Sequence, residues 1–135
     1  MKVGIDSNIF IMCMNPLSDH HIIFKKLVSG NYSLCITTEI SLEYLEVFQI
    51  KFNSVKSEML HKFLHESNYV IDTEVFFKWN LIIADPDDNK YADCYLASNA
   101  DYLVINDKHF SVLKQTEFPT VRCINIDEFT KMLTE

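Results

Sequence analysis

Short apolar runs alternate along this chain with longer stretches of helical periodicity. Residues 2–6, 33–37 and 102–105 are mostly apolar, as expected of strands that are buried on both faces. Residues 18–28 and 38–52 instead carry apolar side chains at helical spacing. Because buried strands separated by helices are typical of parallel sheets, the pattern predicts a three-layer α/β fold.

The remaining segments extend the same pattern. Ser18 is the predicted N-cap of the first helix. Three aromatic residues further along the chain, Phe76, Phe77 and Trp79, are expected to be buried. Residues 69–71 are either a short strand or the exit of the helix before them. We predict a loop over 7–17, helices over 55–65, 72–84, 89–99, 110–114 and 127–133, and a strand over 121–124.

Length and composition limit the class of protein. The chain has 135 residues, 48% of them apolar, which predicts one domain over residues 1–135 that needs no disulfide or structural metal to fold. Its two glycines cannot supply a Walker loop or a dinucleotide-binding fingerprint. Nucleotide-cradling enzymes are therefore not expected.

Charge, cysteines and hydropathy indicate the surroundings of the chain. The formal charge of −7 repels polyanions, so a nucleic acid must be held by a local feature. Four cysteines without a C-x-x-C pair predict buried free thiols in a reducing compartment, hence a cytoplasmic location. No apolar run approaches the roughly 20 residues of a membrane span, and no signal peptide is evident, so no membrane role is expected.

Four acidic residues are placed to share one site. Asp6 and Asp107 each follow a predicted strand, and ligand sites of open parallel sheets lie beyond the carboxyl ends of the strands. Asp88 begins the helix that leads into the strand before Asp107, and Glu43 lies on the helix after the second strand. Four carboxylates in one cleft repel each other unless cations neutralise them.

Carboxylate ligands favour Mg²⁺ or Mn²⁺ over zinc. Two such ions about 3.5–4 Å apart are a recurring device for phosphodiester hydrolysis, and bound metal also lets an acidic protein hold a polyanion. Each acid taken singly has a structural explanation as well. Asp6 and Asp107 can cap turns, Asp88 can be an N-cap, and Glu43 can be a solvated helix residue.

The chain resembles the PIN domain family, and within it the VapC-like toxins of toxin-antitoxin systems. The resemblance covers nearly the whole chain. It rests on Val3-Gly4-Ile5-Asp6-Ser7-Asn8, on Thr37 with Glu43-Tyr44-Leu45-Glu46-Val47, and above all on DPDDNKYADCYLASNADYLVINDKHF over residues 85–110. It implies a PIN-like α/β/α domain with a central, mostly parallel sheet of about five strands.

The resemblance also implies an activity and its residues. The chain would be a metal-dependent endoribonuclease in which Asp6, Glu43, Asp88 and Asp107 are the catalytic acids and metal ligands. Asp93 is either an alternative third ligand to Asp88 or a residue that supports the ligands without contacting the ion. Many relatives have a small hydroxyl residue and then a flexible one where this chain has Ile105 and Asn106, so a hydroxyl near water or phosphate is missing. Residues expected to contact RNA are Ser7, Asn8, Lys90, Lys108 and His109.

Partners and rival functions follow from the same residues. An antitoxin protein and a second copy of the chain are expected partners, because the first helices carry more large apolar side chains than one domain face needs. One rival is a metal-dependent phosphohydrolase that acts on a small substrate. The other is a catalytically idle PIN-like module that works by assembly.

Overall fold

A five-stranded parallel sheet forms the centre of the protein. The computed structural model describes residues 1–106 and 110–135. The strand order is β3-β2-β1-β4-β5, and the four strand pairs are all parallel. The strands are β1 (Lys2–Ile5), β2 (Ser33–Ile36), β3 (Val70–Asp72), β4 (Tyr102–Val104) and β5 (Cys123–Ile124).

Helices precede or follow every strand, as the periodicity predicts. Helix α1 packs on α2 and α3, α3 packs on α4, and α5 lies against β1, β2 and β4. The four cysteines are free and buried, as predicted. The helices are α1 (Ser7–Cys13), α2 (His21–Val28), α3 (Thr38–Lys51), α4 (Ser54–Glu66), α5 (Asn89–Ser98), α6 (Phe110–Gln115) and α7 (Ile126–Thr134).

The central strand β1 is buried and packs closely against β4. Val3 and Ile5 are almost fully buried, and Gly4 stands directly against β4. A Cβ at Gly4 would lie 3.1 Å from Cδ1 of Leu103, so the leucine side chain would have to shift slightly to admit a larger residue. Parallel pairing of β1 with β4 places the carboxyl ends of both strands at one edge of the sheet.

The loop predicted over residues 7–17 is wrong in its first half, where α1 forms. Asp6 is the N-cap of α1, and its carboxylate accepts a long hydrogen bond from the backbone N–H of Asn8, at 3.5 Å. The ring of Phe10 stacks on that of Tyr44 with 4.5 Å between centroids. Packing against α3 therefore stabilises a helix whose near-continuous apolar sequence carries little periodicity. Helix α2 begins at His21, with His20 rather than Ser18 as its N-cap.

The helix predicted over residues 72–84 is also wrong, because residues 73–85 contain no helix or strand. Backbone groups of Trp79 and Ile82 bond to side chains of α5. The N–H of Trp79 donates to Asp93, and Asn80 has a left-handed φ of 54°. Phe76 and Phe77 are exposed, contrary to the expectation that they are buried, while Trp79 is half-buried.

Candidate active site

Asp6 lies at the carboxyl edge of the sheet, between β1 and the start of α1. Its backbone N–H donates to the carbonyl oxygen of Val104 at 3.0 Å, which ties it to the end of β4. The amide of Asn106, two residues further on, makes a long contact of 3.5 Å with Oδ2 of Asp6. The carboxyl ends of β1 and β4 therefore converge as predicted, as far as Asn106, where the first described range ends. Asp107, Lys108 and His109 lie outside the described residues.

Glu43 reaches the same edge from α3. The hydroxyl of Ser7 donates to Oε1 of Glu43 at 2.9 Å and lies 3.5 Å from Oδ1 of Asp6, so it lies between the two acids. Lys90 Nζ lies 2.6 Å from Oε2 of Glu43. That buried oxygen accepts no hydrogen bond of good geometry from residues 1–106 or 110–135. Residues 36 positions apart therefore share one polar cluster.

Asp88 joins this cluster from the other side. It ends a short 3-10 turn, Pro86–Asp88, that leads into α5. Asp6 and Asp88 line one small pocket, whose remaining walls are mainly apolar and include Ile82, Tyr91 and Ile105. Of the predicted site residues, the structure therefore gathers Asp6, Ser7, Glu43, Asp88 and Lys90.

The electrostatics of this cluster show most clearly at Asp6. Burial, the charge of Asp88 and the charge of Glu43 raise the pKa of Asp6 to about 6, against the lowering effect of hydrogen bonds from Asn8 and Ser7. A carboxyl group at the N-terminus of a helix usually ionises readily. The raised pKa of Asp6 shows that burial, first, and the charges of Asp88 and Glu43 outweigh the hydrogen bonds from Asn8 and Ser7.

Lys90 carries the positive charge of the cluster. Besides Glu43 it contacts Asp87, at 3.2 Å, and its ammonium lies 6.0 Å from the centre of the Tyr91 ring. Burial lowers the pKa of Lys90, but hydrogen bonds and charges from Glu43 and Asp87 outweigh it and raise the pKa overall. The described contacts of Lys90 are thus with carboxylates. Its predicted contact with a phosphate stays a prediction.

Asp93, the alternative to Asp88, faces a different groove. Its Oδ1 accepts the backbone N–H of Trp79 at 3.1 Å, and its carboxylate lines a groove with Thr37, Glu39 and Lys78. Asp88 and Glu43 raise the pKa of Asp6, whereas Asp93 is not among the charges that do so. Asp88 therefore shares a pocket with Asp6, whereas Asp93 contacts the segment 73–85, and the choice between them as third ligand stays a prediction.

Two residues of the site were not predicted from the sequence. The hydroxyl of Tyr91 accepts the backbone N–H of Ser7 at 3.2 Å, in a buried position between α1 and α5. Tyr91 follows Asp88 by three residues, and that helical spacing was the available signal. Asn106 stands where a flexible residue was expected, yet its amide lies beside Asp6. No sequence pattern distinguishes that contact from an ordinary turn asparagine.

The donor set fits a hard divalent cation. The described residues provide carboxylates from three elements, and one of these, Asp6, is a carboxyl group whose ionisation is opposed by burial and by its neighbours. Within the part of the chain that the structure describes, no three acidic, histidine or cysteine side chains enclose an ion. A complete cage would need a further ligand, and Asp107 is the predicted one.

Comparison with known proteins gives the class of this chain. Its sequence matches the PIN domain family over residues 2–109, so the chain belongs to this family. No curated protein sequence matches it significantly. The described residues contain no helix that is both long enough and apolar enough to span a bilayer.

Two solved structures have a similar fold. The crystal structure of VapBC2 from Rickettsia felis, bound to a DNA fragment from their promoter, matches with a TM-score of 0.62 and 20% identity, over 93% of this chain and 98% of that one. The structure of FitAB bound to an IR36 DNA fragment matches with a TM-score of 0.53 and 12% identity, over 92% of this chain and 94% of that one. The predicted PIN-like α/β/α fold is confirmed.

Proposed function

We propose that this chain is a divalent-metal-dependent endoribonuclease of the VapC-like branch of the PIN domain family. The observation that carries the proposal is Asp6, whose pKa is raised to about 6 by burial and by the charges of Asp88 and Glu43. A partly buried carboxylate beside two further acids is stabilised in its charged form by a bound cation. PIN domains are generally nucleases, and membership of the family supports hydrolysis of phosphodiester bonds.

Asp6 and Asp88 are the proposed main ligands of Mg²⁺ or Mn²⁺, and Glu43 and Asp107 are proposed to complete the site or to orient water. When bound, such an ion makes water a better nucleophile at neutral pH and stabilises charge on the phosphodiester. Ser7 orients Glu43 through its hydroxyl, and Asn106 contacts Asp6 through its amide. Attack by water would leave a 5′-phosphate and a 3′-hydroxyl. Asn8, Lys108 and His109 are proposed to contact the RNA backbone.

Cleavage of a single-stranded RNA oligomer in the presence of Mn²⁺ tests the proposal. Asp6→Asn should lower the rate roughly a hundredfold or more, because it removes a ligand charge while preserving shape. Asp19→Asn is the matched control, since Asp19 is exposed and lies outside the cluster. An Asp6→Asn protein that cleaves as fast as wild type would refute the assignment. Hydrolysis of nucleotides but not RNA would indicate the small-substrate phosphohydrolase instead.

A protein partner is proposed for an apolar groove between α2, α3 and α4. The groove has a volume of about 550 Å³, and Phe24, Phe48 and Phe63 lie along it. Met59, at its edge, is exposed. The proposed occupant is an apolar segment of an antitoxin, as suits a chain whose fold resembles the VapBC2 complex. A homodimer and a cytoplasmic location stay predictions.

Co-expression with the candidate antitoxin tests this partner. Met59→Glu should abolish copurification, because it places a charge at the edge of the apolar groove. Since Met59 is exposed, the thermal midpoint of the variant should stay within a few degrees of that of wild type. Glu58→Gln, a change at the neighbouring exposed position, should leave copurification intact. Equal copurification of all three proteins would place the antitoxin elsewhere.

A further inference from the structure

A polar groove, here called the β2–β3 groove, lies beside the candidate active site at the same edge of the sheet. Two of its residues, Thr37 and Thr73, directly follow β2 and β3, so it lies beyond the carboxyl ends of these strands. In the sheet, β2 and β3 are one and two strands away from β1, which leads into Asp6. The groove therefore lies roughly 5–10 Å from the end of β1. Its volume is about 390 Å³, and its lining includes Thr37, Glu39, Phe76, Lys78, Lys90 and Asp93.

Lys90 connects the β2–β3 groove to the acidic cluster. Its side chain lines the groove, and its ammonium lies 2.6 Å from Oε2 of Glu43. No element of the described chain needs to be crossed between the two sites, because they share this side chain. An RNA strand whose scissile phosphodiester lies at Asp6 and Asp88 can therefore place a neighbouring nucleotide in the groove.

Phe76 supplies an aromatic face to the groove. Its side chain is 89% exposed, yet the backbone on both sides of it is anchored. The N–H of Thr73 donates to the carbonyl oxygen of Ile36 at 2.8 Å, and the N–H of Trp79 donates to Asp93 at 3.1 Å. These bonds attach the segment to β2 and α5. An aromatic ring on an anchored segment offers a stacking face to a flat, unpaired base.

The charged side chains of the groove indicate which ligand it suits. Two lysines and three acids line it, so the groove has no excess of positive charge that would favour a phosphate. A base is neutral and can bond to side chains of both signs. The centre of a protein interface is depleted of charged residues, so the apolar face of a protein is a poorer occupant than a nucleotide. The five side chains are those of Glu39, Glu74, Lys78, Lys90 and Asp93.

We propose that the β2–β3 groove is a subsite for one unpaired RNA nucleotide next to the scissile phosphodiester, with its base stacked on Phe76. The inference rests on the proposed function and specifies the class of RNA that the site accepts. A base inside a duplex is already stacked between its neighbours and paired, so it does not reach Phe76. The subsite therefore selects single-stranded RNA over duplex RNA.

Binding of a fluorescein-labelled RNA octamer of mixed sequence tests the subsite. Fluorescence anisotropy measures the affinity with Ca²⁺ in place of Mn²⁺, and a gel verifies that the octamer stays intact. Phe76→Ala should weaken binding about fivefold or more, as expected for the loss of one stacked base. Phe76→Tyr keeps the aromatic face and should bind within about twofold of wild type. Phe76→Leu is apolar but has no ring, so it should lose as much affinity as Phe76→Ala.

Phe118→Ala is the matched control for the loss of an exposed phenylalanine. Phe118 is 82% exposed and does not line the groove, so this variant should bind the octamer within about twofold of wild type. The octamer annealed to its complement is the control for pairing. Wild type and Phe76→Ala should bind this duplex equally.

Four results would overturn the subsite. The first is equal binding of the single strand by wild type and Phe76→Ala, and the second is full binding by Phe76→Leu. The third is an equal loss in Phe118→Ala, which would assign the effect to exposed aromatic surface in general. The fourth is a change in sedimentation of Phe76→Ala with unchanged RNA affinity, which would place a second copy of the chain on Phe76.

The outcome is separable from that of the proposed function. If the octamer binds through Phe76 but is not cleaved with Mn²⁺, the nuclease is refuted and a single-strand binding site stands. If wild type cleaves the octamer and Phe76→Ala binds it equally well, the subsite alone is refuted. A wild-type protein that neither binds nor cleaves the octamer would refute both.

Discussion

The hydroxyl of Tyr44 donates a hydrogen bond to the carbonyl oxygen of Ile5, and both residues are buried. Tyr44 follows Glu43 on α3, and Ile5 precedes Asp6 at the end of β1. The bond therefore fixes the two backbone segments that carry these acids relative to each other. The ring of Phe10, stacked on Tyr44, adds the first helix to the same arrangement. Packing in the core therefore sets the distance between Asp6 and Glu43.

Tyr44→Phe should cost about 1–3 kcal/mol of unfolding free energy, because it leaves a buried carbonyl oxygen without its donor. It should also lower RNA cleavage roughly three- to tenfold under conditions where the protein is folded, since small misplacements of catalytic groups are costly. Tyr32→Phe is the matched control: it removes a buried bond to Ile23 away from the site. Urea denaturation and cleavage assays should separate them, and equal activity in both variants would contradict this role.

Asp6→Asn should stabilise the metal-free protein above pH 6. The pKa of Asp6 is about 6 in the folded protein and near the ordinary aspartate value of 3.8 when unfolded, so the folded state binds more protons between those values. Wild-type stability therefore falls from about pH 4 to pH 6 and stays reduced above it, by on the order of 3 kcal/mol. Urea unfolding with a chelator across this range measures the difference, which a pH-independent gap would contradict.

Mn²⁺ affinity should rise with pH up to about 6 and then level off. The ion must displace the proton of Asp6 below that pH, so affinity should fall about tenfold per pH unit on the acid side. Calorimetry in two buffers of different ionisation heat should detect the released proton at pH 5.5 and little release at pH 8. Asp19→Asn should keep the profile, and an affinity that is flat from pH 5 to 7 would exclude Asp6 as a ligand.

Much of the fold was predictable because buried strands and amphipathic helices leave clear periodic signals. The runs at Lys2–Ile5, Ser33–Ile36 and Tyr102–Val104 are strands, and the pattern over Thr38–Lys51 is a helix, as expected. Helix α1 was missed because residues on several of its sides are buried, so its sequence lacks an amphipathic period. Tertiary contacts with α3 decide its conformation.

The candidate site was predictable in its acids but not in the contacts between them. Parallel strands bring their carboxyl ends to one edge, which accounts for Asp6 and for the approach of Asn106. The ion pair between Lys90 and Glu43 joins residues on α5 and α3, and no local pattern specifies such a pair. The helix predicted over residues 72–84 does not form, and the bonds of Trp79 and Ile82 to Asp93 and Asn89 arise only in the folded chain, so no local pattern predicts them.

Asn89→Ala should loosen the segment that covers the pocket of Asp6. The buried Asn89 side chain accepts the N–H of Ile82 at 2.8 Å and donates to its carbonyl oxygen at 3.1 Å, so both backbone groups lose their partner. The loss should be about 2–4 kcal/mol, two buried bonds together. Asn53→Ala, which removes only the N-cap of α4, should cost about 1 kcal/mol. Hydrogen exchange should speed up at Ile82 in the first variant and not in the second, and unchanged protection at Ile82 would show that other contacts hold the segment.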